Sequence, residues 1–204
     1  MGTDIKKTLR ASEQGREDVL KKREKWRTFQ QSVCSQKLVF LDETGAKTNM
    51  TRLYGRALKG ERCFDYAPDG RWERTTILSA VRASGETCSI VFDGSLDGKM
   101  FDAYIEKFLL PTLMPGEIVI MDNLNVHKSL IAKKLVEERG CKYVFLPEYS
   151  PDVNPIEKMW SKVKQVLKGI KARTREELEK AIGKALACIT PDDAKGWFAS
   201  CGYM

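Results

Sequence analysis

Two short stretches decide how this chain folds: Lys37–Asp42, KLVFLD, and Ile118–Asp122, IVIMD. In each, an unbroken apolar run is closed by an aspartate. Continuous apolar character, without alternation, marks a strand covered on both faces. Two such strands with helical sequence between and after them predict an α/β sheet flanked by helices. A buried strand carries whatever follows its last apolar residue to the sheet edge, where ligands bind in folds of this kind. Asp42 and Asp122 therefore occupy equivalent places on two strands.

Between residues 48 and 92 the stretches TRLY, ERCFDYA, RTTILSAVR and ETCSIVF have strand length and β-branched content. The turn-like APDG and ASGE lie among them, so the pattern predicts an antiparallel meander beside the first strand. From Asp97 to Leu110 the apolar positions Met100, Phe101, Tyr104, Ile105, Phe108 and Leu109 fall on one helical stripe. After the turn MPGE and the IVIMD strand come a helix near 129–139, a short strand Tyr143–Leu146 and the loop PEYSPDVNP. That loop leads into a long helix, Pro155–Lys171. Two more helices are expected, one capped by the box TREE from Thr174, the other after Pro191. Ahead of this, Leu9, Val19, Leu20, Trp26 and Phe29 are spaced loosely, like one face of one or two helices. The expected division is a helical N-terminal arm, 1–36, and one α/β domain with C-terminal helices, 37–204.

The 204 residues carry 35 Lys+Arg against 28 Asp+Glu, a net charge of +7, with 42% hydrophobic and 9% aromatic residues. That composition is too apolar for a disordered chain, and no apolar run approaches the ~18 residues of a membrane span. The first ten residues lack the apolar core of a signal peptide, so a cytosolic chain is expected. Cys34, Cys63, Cys88, Cys141, Cys188 and Cys201 lie far apart, with only His127 to share a metal. They read as reduced thiols, and zinc is disfavoured.

If the two strands are neighbours, Asp42 and Asp122 converge, and their charges repel unless cations lie between them. Oxygen donors alone suit Mg²⁺ or Mn²⁺. An acid after a strand is also a common turn residue, and Asp122 before Asn123 suits an Asx turn. Glu157 is a third candidate with an equally plain alternative. Asn154 as N-cap, Pro155 at the first helical position and Glu157 at the third would make a capping box. Against that, the two prolines in the preceding loop fix the direction in which the helix sets off.

LDETG at 41–45, MDNLNVHKS at 121–129 and YSPDVNPIEKMW at 149–160 together resemble the three blocks of the mariner-like DDE transposases, in the bacterial insertion-sequence branch (the six-thirty group). Thirty-four residues lie between Asp122 and Glu157, the family's spacing. The resemblance implies an RNase H-like fold, a mixed five-stranded sheet flanked by helices, with the first acid on the central strand, the second on its neighbour and the third on a following helix. It places the catalytic and metal-binding triad on Asp42, Asp122 and Glu157. Asn123, His127 and Asn154 match accompanying motif positions, and His127 also suits a packed or capping role. The implied chemistry is metal-dependent DNA strand cleavage and strand transfer, with two divalent ions ~3.5 to 4 Å apart. The implied partners are element ends, target DNA and a second copy of the chain. About 41 residues precede Asp42, too few for the family's paired helix-turn-helix units. The chain thus resembles a catalytic half, with an upstream-encoded helix-turn-helix half as partner. The other readings are a nuclease or resolvase of the same fold, and a non-catalytic DNA-binding or dimerising fragment.

Lys158, Lys162, Lys164, Lys168, Lys171, Arg173 and Arg175 fall in a stretch without an acid. Ile156, Met159, Trp160, Val163, Val166, Leu167 and Ile170 form the apolar stripe of the same helix, so the basic residues are expected to face outward, against DNA phosphates or simply against solvent.

Overall fold

The computed structural model describes residues 12–68 and 71–204; Leu9 and the second half of the APDG turn lie outside them. The strands are β1 Leu38–Lys47, β2 Arg74–Arg82, β3 Thr87–Asp93, β4 Ile118–Met121 and β5 Lys142–Phe145. They form the expected mixed five-stranded sheet, in the order β3-β2-β1-β4-β5. β1 pairs antiparallel with β2 and parallel with β4, while β2 pairs antiparallel with β3 and β4 parallel with β5.

Side chains of β1 alternate between two cores. Leu38 and Phe40 join Ile118 and Ile120 on the face covered by α1 (Glu17–Ser32), α4 (Pro155–Ile170), α5 (Arg175–Ala187) and α6 (Pro191–Ser200). Val39 and Leu41 join Val119 and Met121 on the other face, under α2 (Gly98–Tyr104) and α3 (Leu130–Glu138). Being covered on both sides is what the unbroken apolar runs required.

Three expectations are corrected. β1 does not close at Asp42. Its ladder with β2 runs from Val39 opposite Arg82 to Lys47 opposite Arg74, so Asp42 lies in mid-strand and backbone pairing carries the more polar ETGAK segment onward. TRLY and ERCFDYA are not strands; residues 52–67 form an exposed loop. β2 and β4 already occupy both edges of β1, so the place beside the first strand that the pattern predicts for these stretches is taken. The helix expected to Leu110 is α-helical only to Tyr104 and then widens into a π turn, Ile105–Leu109, with Asp97 capping its start by accepting from the Met100 N–H at 2.8 Å.

In α4, Ile156, Met159, Trp160, Val163 and Leu167 are buried as the stripe predicts, whereas Val166 is half-buried and Ile170 exposed. Thr174 and Thr190 each make a complete capping box. α1 packs onto the far end of the chain: Trp26 Nε1 donates to the Tyr203 hydroxyl (2.9 Å) and Gln30 Nε2 to the Cys201 carbonyl (2.7 Å). Among the described residues no helix is long and apolar enough to cross a membrane.

Candidate active site

The parallel pairing of β1 and β4 sets Phe40 opposite Ile120. Counting two residues on from each brings Asp42 and Asp122 level. Glu157 arrives from the first turn of α4, which packs on β1. All three line one open cleft of about 430 Å³, together with Asn123, Asn154 and the 146–151 loop.

Each carboxylate is held differently. Asp42 is buried, accepting from the Glu43 N–H at 2.8 Å through Oδ1 and from Trp160 Nε1 at 3.3 Å through Oδ2. Burial, followed by the charges of Glu157, Glu43 and Asp122, pushes its carboxyl up to about 7. Asp122 is half-buried and accepts through Oδ1 from the Leu124 N–H, an Asx-type contact at 3.1 Å, and meets His127 Nδ1 at 2.7 Å. Burial works to raise it, but His127 and Leu124 outweigh that and hold it below the ordinary aspartate range. Glu157 is exposed and reaches no capping partner. Asn154 begins α4 without a side-chain cap bond, so the expected capping box is absent.

His127 is fully buried and does not line the cleft. Its ring lies 5.0 Å from that of Phe101, with Asp122 on Nδ1 and Glu43 Oε2 3.1 Å from Nε2, bent off the hydrogen-bond axis. Burial opposes its charge, yet the two carboxylates dominate and raise it to about 9. Asn123 Nδ2 donates to the Leu146 carbonyl, tying the ends of β4 and β5 together. The loop before α4 is braced from behind. Arg23 of α1 donates to Ser150 Oγ (2.6 Å) and, by two nitrogens, to Asp152 (2.9 and 2.7 Å), while the Tyr203 hydroxyl donates to the Val153 carbonyl at 2.8 Å. Glu43, Trp160, Arg23 and Tyr203 all support the candidate site; the sequence marks Trp160 only as a core residue and gives no role to the other three. For Glu43 a signal existed: adjacent strand residues face opposite ways, so a second acid beside Asp42 has to point elsewhere.

The donor set is oxygen-only. Asn154 Oδ1 is buried on the cleft wall without a hydrogen-bond partner, and the single histidine is consumed behind Asp122. Among the described residues no three Asp, Glu, His or Cys side chains form a ready-made cage for one ion. Carboxylates spread over the walls of an open cleft fit hard divalent cations that complete their coordination with phosphate oxygens and water.

The basic stretch is less free than its sequence suggests. Lys162 pairs with Asp193, Lys171 with Asp65 and Arg175 with Asp93 and Glu179, and Arg173 donates to the Thr48 (3.0 Å) and Met50 (3.2 Å) carbonyls. Lys158, Lys164 and Lys168 have no carboxylate within ion-pair distance among the described residues.

A mixed sheet in this order, layered by helices on both faces, is the RNase H-like fold of transposase catalytic domains. The profile of the DDE superfamily endonucleases matches residues 37–179, and the chain belongs to that family. Among solved structures it is similar to the Mos1 transposase paired-end complex with left transposon end (15% identity, TM-score 0.73, covering 99% of this chain and 64% of that one). It is likewise similar to the Mos1 strand transfer complex (15%, 0.74, 98% and 63%) and to the catalytic domain of Mos1 mariner transposase (14%, 0.61, 98% of both). The chain thus spans under two thirds of the Mos1 chains in those two complexes, and at these identities the likeness is one of fold. No curated protein sequence matches it.

Proposed function

We propose that the chain is the catalytic domain of an insertion-sequence transposase, cutting DNA strands and joining the freed 3′ ends to target DNA. The observation that carries this is the convergence, in a member of the DDE endonuclease family, of Asp42, Asp122 and Glu157 on one cleft. We assign those three as catalytic residues and ligands of two Mg²⁺ or Mn²⁺ ions; related Mos1 complexes are described with Mg and with Mn. Bound there, the ions would lower the pKa of the attacking oxygen and relieve charge on the scissile phosphate. The chain's own part is placement. Asp42 is fixed by β1 and Trp160, Asp122 is turned by His127, and Glu157 stands at the positive end of the α4 dipole, where a phosphate is favoured. Asn123 and Asn154 act as accessory positioning groups. No covalent protein intermediate is needed, so one site serves both hydrolysis and joining.

The partners follow from the reaction. Two element ends call for two sites, hence a homodimer. The exposed apolar loop, with Leu53, Tyr54, Phe64 and Tyr66 each more than three quarters exposed, is the surface offered for it. Reading of the end sequence is left to a helix-turn-helix half encoded upstream. The domain division at 36/37 and a cytosolic location belong to the same reading. The test is Mn²⁺-supported cleavage and joining of supplied pre-cut ends by the purified chain, with its mass followed by sedimentation. Cleavage without joining would reassign it as a nuclease of this fold. No reaction on any end, with a chain that binds DNA, would make it a regulatory fragment.

DNA contact along α4 falls first to the unpaired Lys158, Lys164 and Lys168; Lys171 and Arg173 at the helix end would have to leave Asp65 and the Thr48 and Met50 carbonyls to join them, as Lys162 would have to leave Asp193. Lys164→Gln with Lys168→Gln should weaken binding of every duplex alike and reduce the log–log salt slope by up to ~1.8, at ~0.9 per phosphate contact. Lys162→Gln, whose ammonium is already engaged by Asp193, should leave the slope unchanged. Equal slopes for the double variant and wild type in a salt titration would move the DNA path elsewhere.

A further inference from the structure

We propose that Glu43 is a positioning residue of this site, acting through His127 to fix the direction of the Asp122 carboxylate. The inference rests on the reading of Asp122 as a divalent-cation ligand and adds a residue to it.

The argument begins with strand alternation. Asp42 shares the parity of Phe40 and faces α4, where Trp160 meets it. Glu43 shares the parity of Val39 and Leu41 and faces the other core, where His127 lies against Phe101. Two consecutive acids therefore serve opposite faces of one strand. The paired residues of the β1–β4 ladder end at Phe40 opposite Ile120, two residues short of the level of Asp42 and Asp122. Beyond that point the imidazole spans the two strands: Nε2 lies 3.1 Å from Glu43 Oε2 and Nδ1 lies 2.7 Å from Asp122 Oδ1.

His127 is wholly buried and absent from the cleft wall, so it acts on substrate only through Asp122. Its own carbonyl is held by the Tyr143 hydroxyl, so the ring has a fixed base. Among the described residues both hydrogen bonds to Asp122 fall on Oδ1, leaving Oδ2 for an ion to take. Among the described residues the buried Glu43 Oε2 has no well-aligned hydrogen bond, and its one close polar neighbour is His127 Nε2. A carboxylate kept in such a place, with an imidazole as its ion-pair partner, fits orientation of that imidazole better than solvation or capping. Partners that orient a metal ligand from behind are typically worth about 10–100-fold in metal affinity.

The experiment uses the whole chain without DNA. Mn²⁺ binding is measured by calorimetry for wild type, Glu43→Ala, Glu43→Asp and Glu43→Gln, and the ring nitrogens of His127, the chain's one histidine, are followed by ¹⁵N NMR. Glu43→Ala and the shorter Glu43→Asp should bind Mn²⁺ roughly 10–100-fold more weakly. Glu43→Gln, which keeps an oxygen facing Nε2, should recover most of the loss. The Nε2 resonance should move in the Ala and Asp variants before any metal is added. Wild-type affinity in the Ala and Asp variants overturns the inference, as does an unmoved Nε2 resonance. If Glu43→Ala does not fold, the Asp and Gln variants decide. A wild-type chain that binds no Mn²⁺ overturns the metal reading of the site instead, and the His127 resonances then decide the contact alone.

Discussion

Asp42→Asn, Asp122→Asn and Glu157→Gln should each lower metal-dependent cleavage by roughly a thousandfold or more, since on the proposed reading each residue supplies one of the few charges that would hold the ions, and the cleft's other carboxylate, Glu148, is engaged by Lys22. Their effects on the metal-free fold should differ in sign. Asp42 is the destabilising one. Its folded carboxyl titrates at about 7 instead of 3.8, so the stability it supplies is complete below pH 4 and is lost as pH rises through 7. Asparagine removes that loss and should raise stability at pH 8 by up to ~4 kcal/mol, with a flatter dependence between about pH 4 and 7. Asp122→Asn should do the opposite, because it strips a buried imidazole of its closest carboxylate. Glu157→Gln, exposed and not a cap, should change stability little. Melting curves in chelator across that pH range, set beside cleavage assays, check all three. Unfolding in both aspartate variants would give the two aspartates a structural role, and full activity in any of the three variants would remove that residue from the proposed catalytic set.

Trp160→Ala should cost about 3–5 kcal/mol, the usual penalty for emptying a large aromatic site in a packed core. Trp160 is 2% exposed and packs between α4 and the sheet, in the core that holds Phe40 and Ile156. Trp160→Phe keeps most of that contact and should cost far less. It still removes the N–H that meets Asp42 Oδ2, so it should raise the Mn²⁺ concentration needed for cleavage while most of the fold's stability remains. Urea unfolding and metal titration of the two variants separate packing from polar contact. Equal metal requirement in wild type and Trp160→Phe would show that the indole only fills space.

The sequence points to the candidate site more directly than to its surroundings. Asp42 and Asp122 were legible because burial on both faces leaves an apolar run that ends abruptly, and Glu157 because its loop and helix start form a long, specific block. Glu43 stands beside Asp42, and strand alternation alone does not give its role, since its meaning depends on a histidine that folding brings to the opposite face of the strand. Residues 52–67 misled for a related reason. Side-chain composition reports what a strand would favour, whereas pairing depends on whether a neighbour has an edge to offer. The basic stretch misled in the same way. Its apparent lack of acids holds along the chain only, because Asp65, Asp93 and Asp193 arrive from three other segments.

Asp42 sits in the middle of β1, bonded to β2 both before and after it, while Asp122 hangs from a turn beyond the end of β4 and Glu157 rides on the first turn of a helix behind a loop. The cleft is therefore built like a vice with one fixed jaw. Displacing Asp42 would mean unzipping a ten-residue strand, whereas the other two carboxylates can travel by small rotations of a turn and a helix end. On the proposed function, whatever fitting takes place as DNA enters would fall to the moving side, and the fixed side would set the point in the molecule from which the scissile bond is measured.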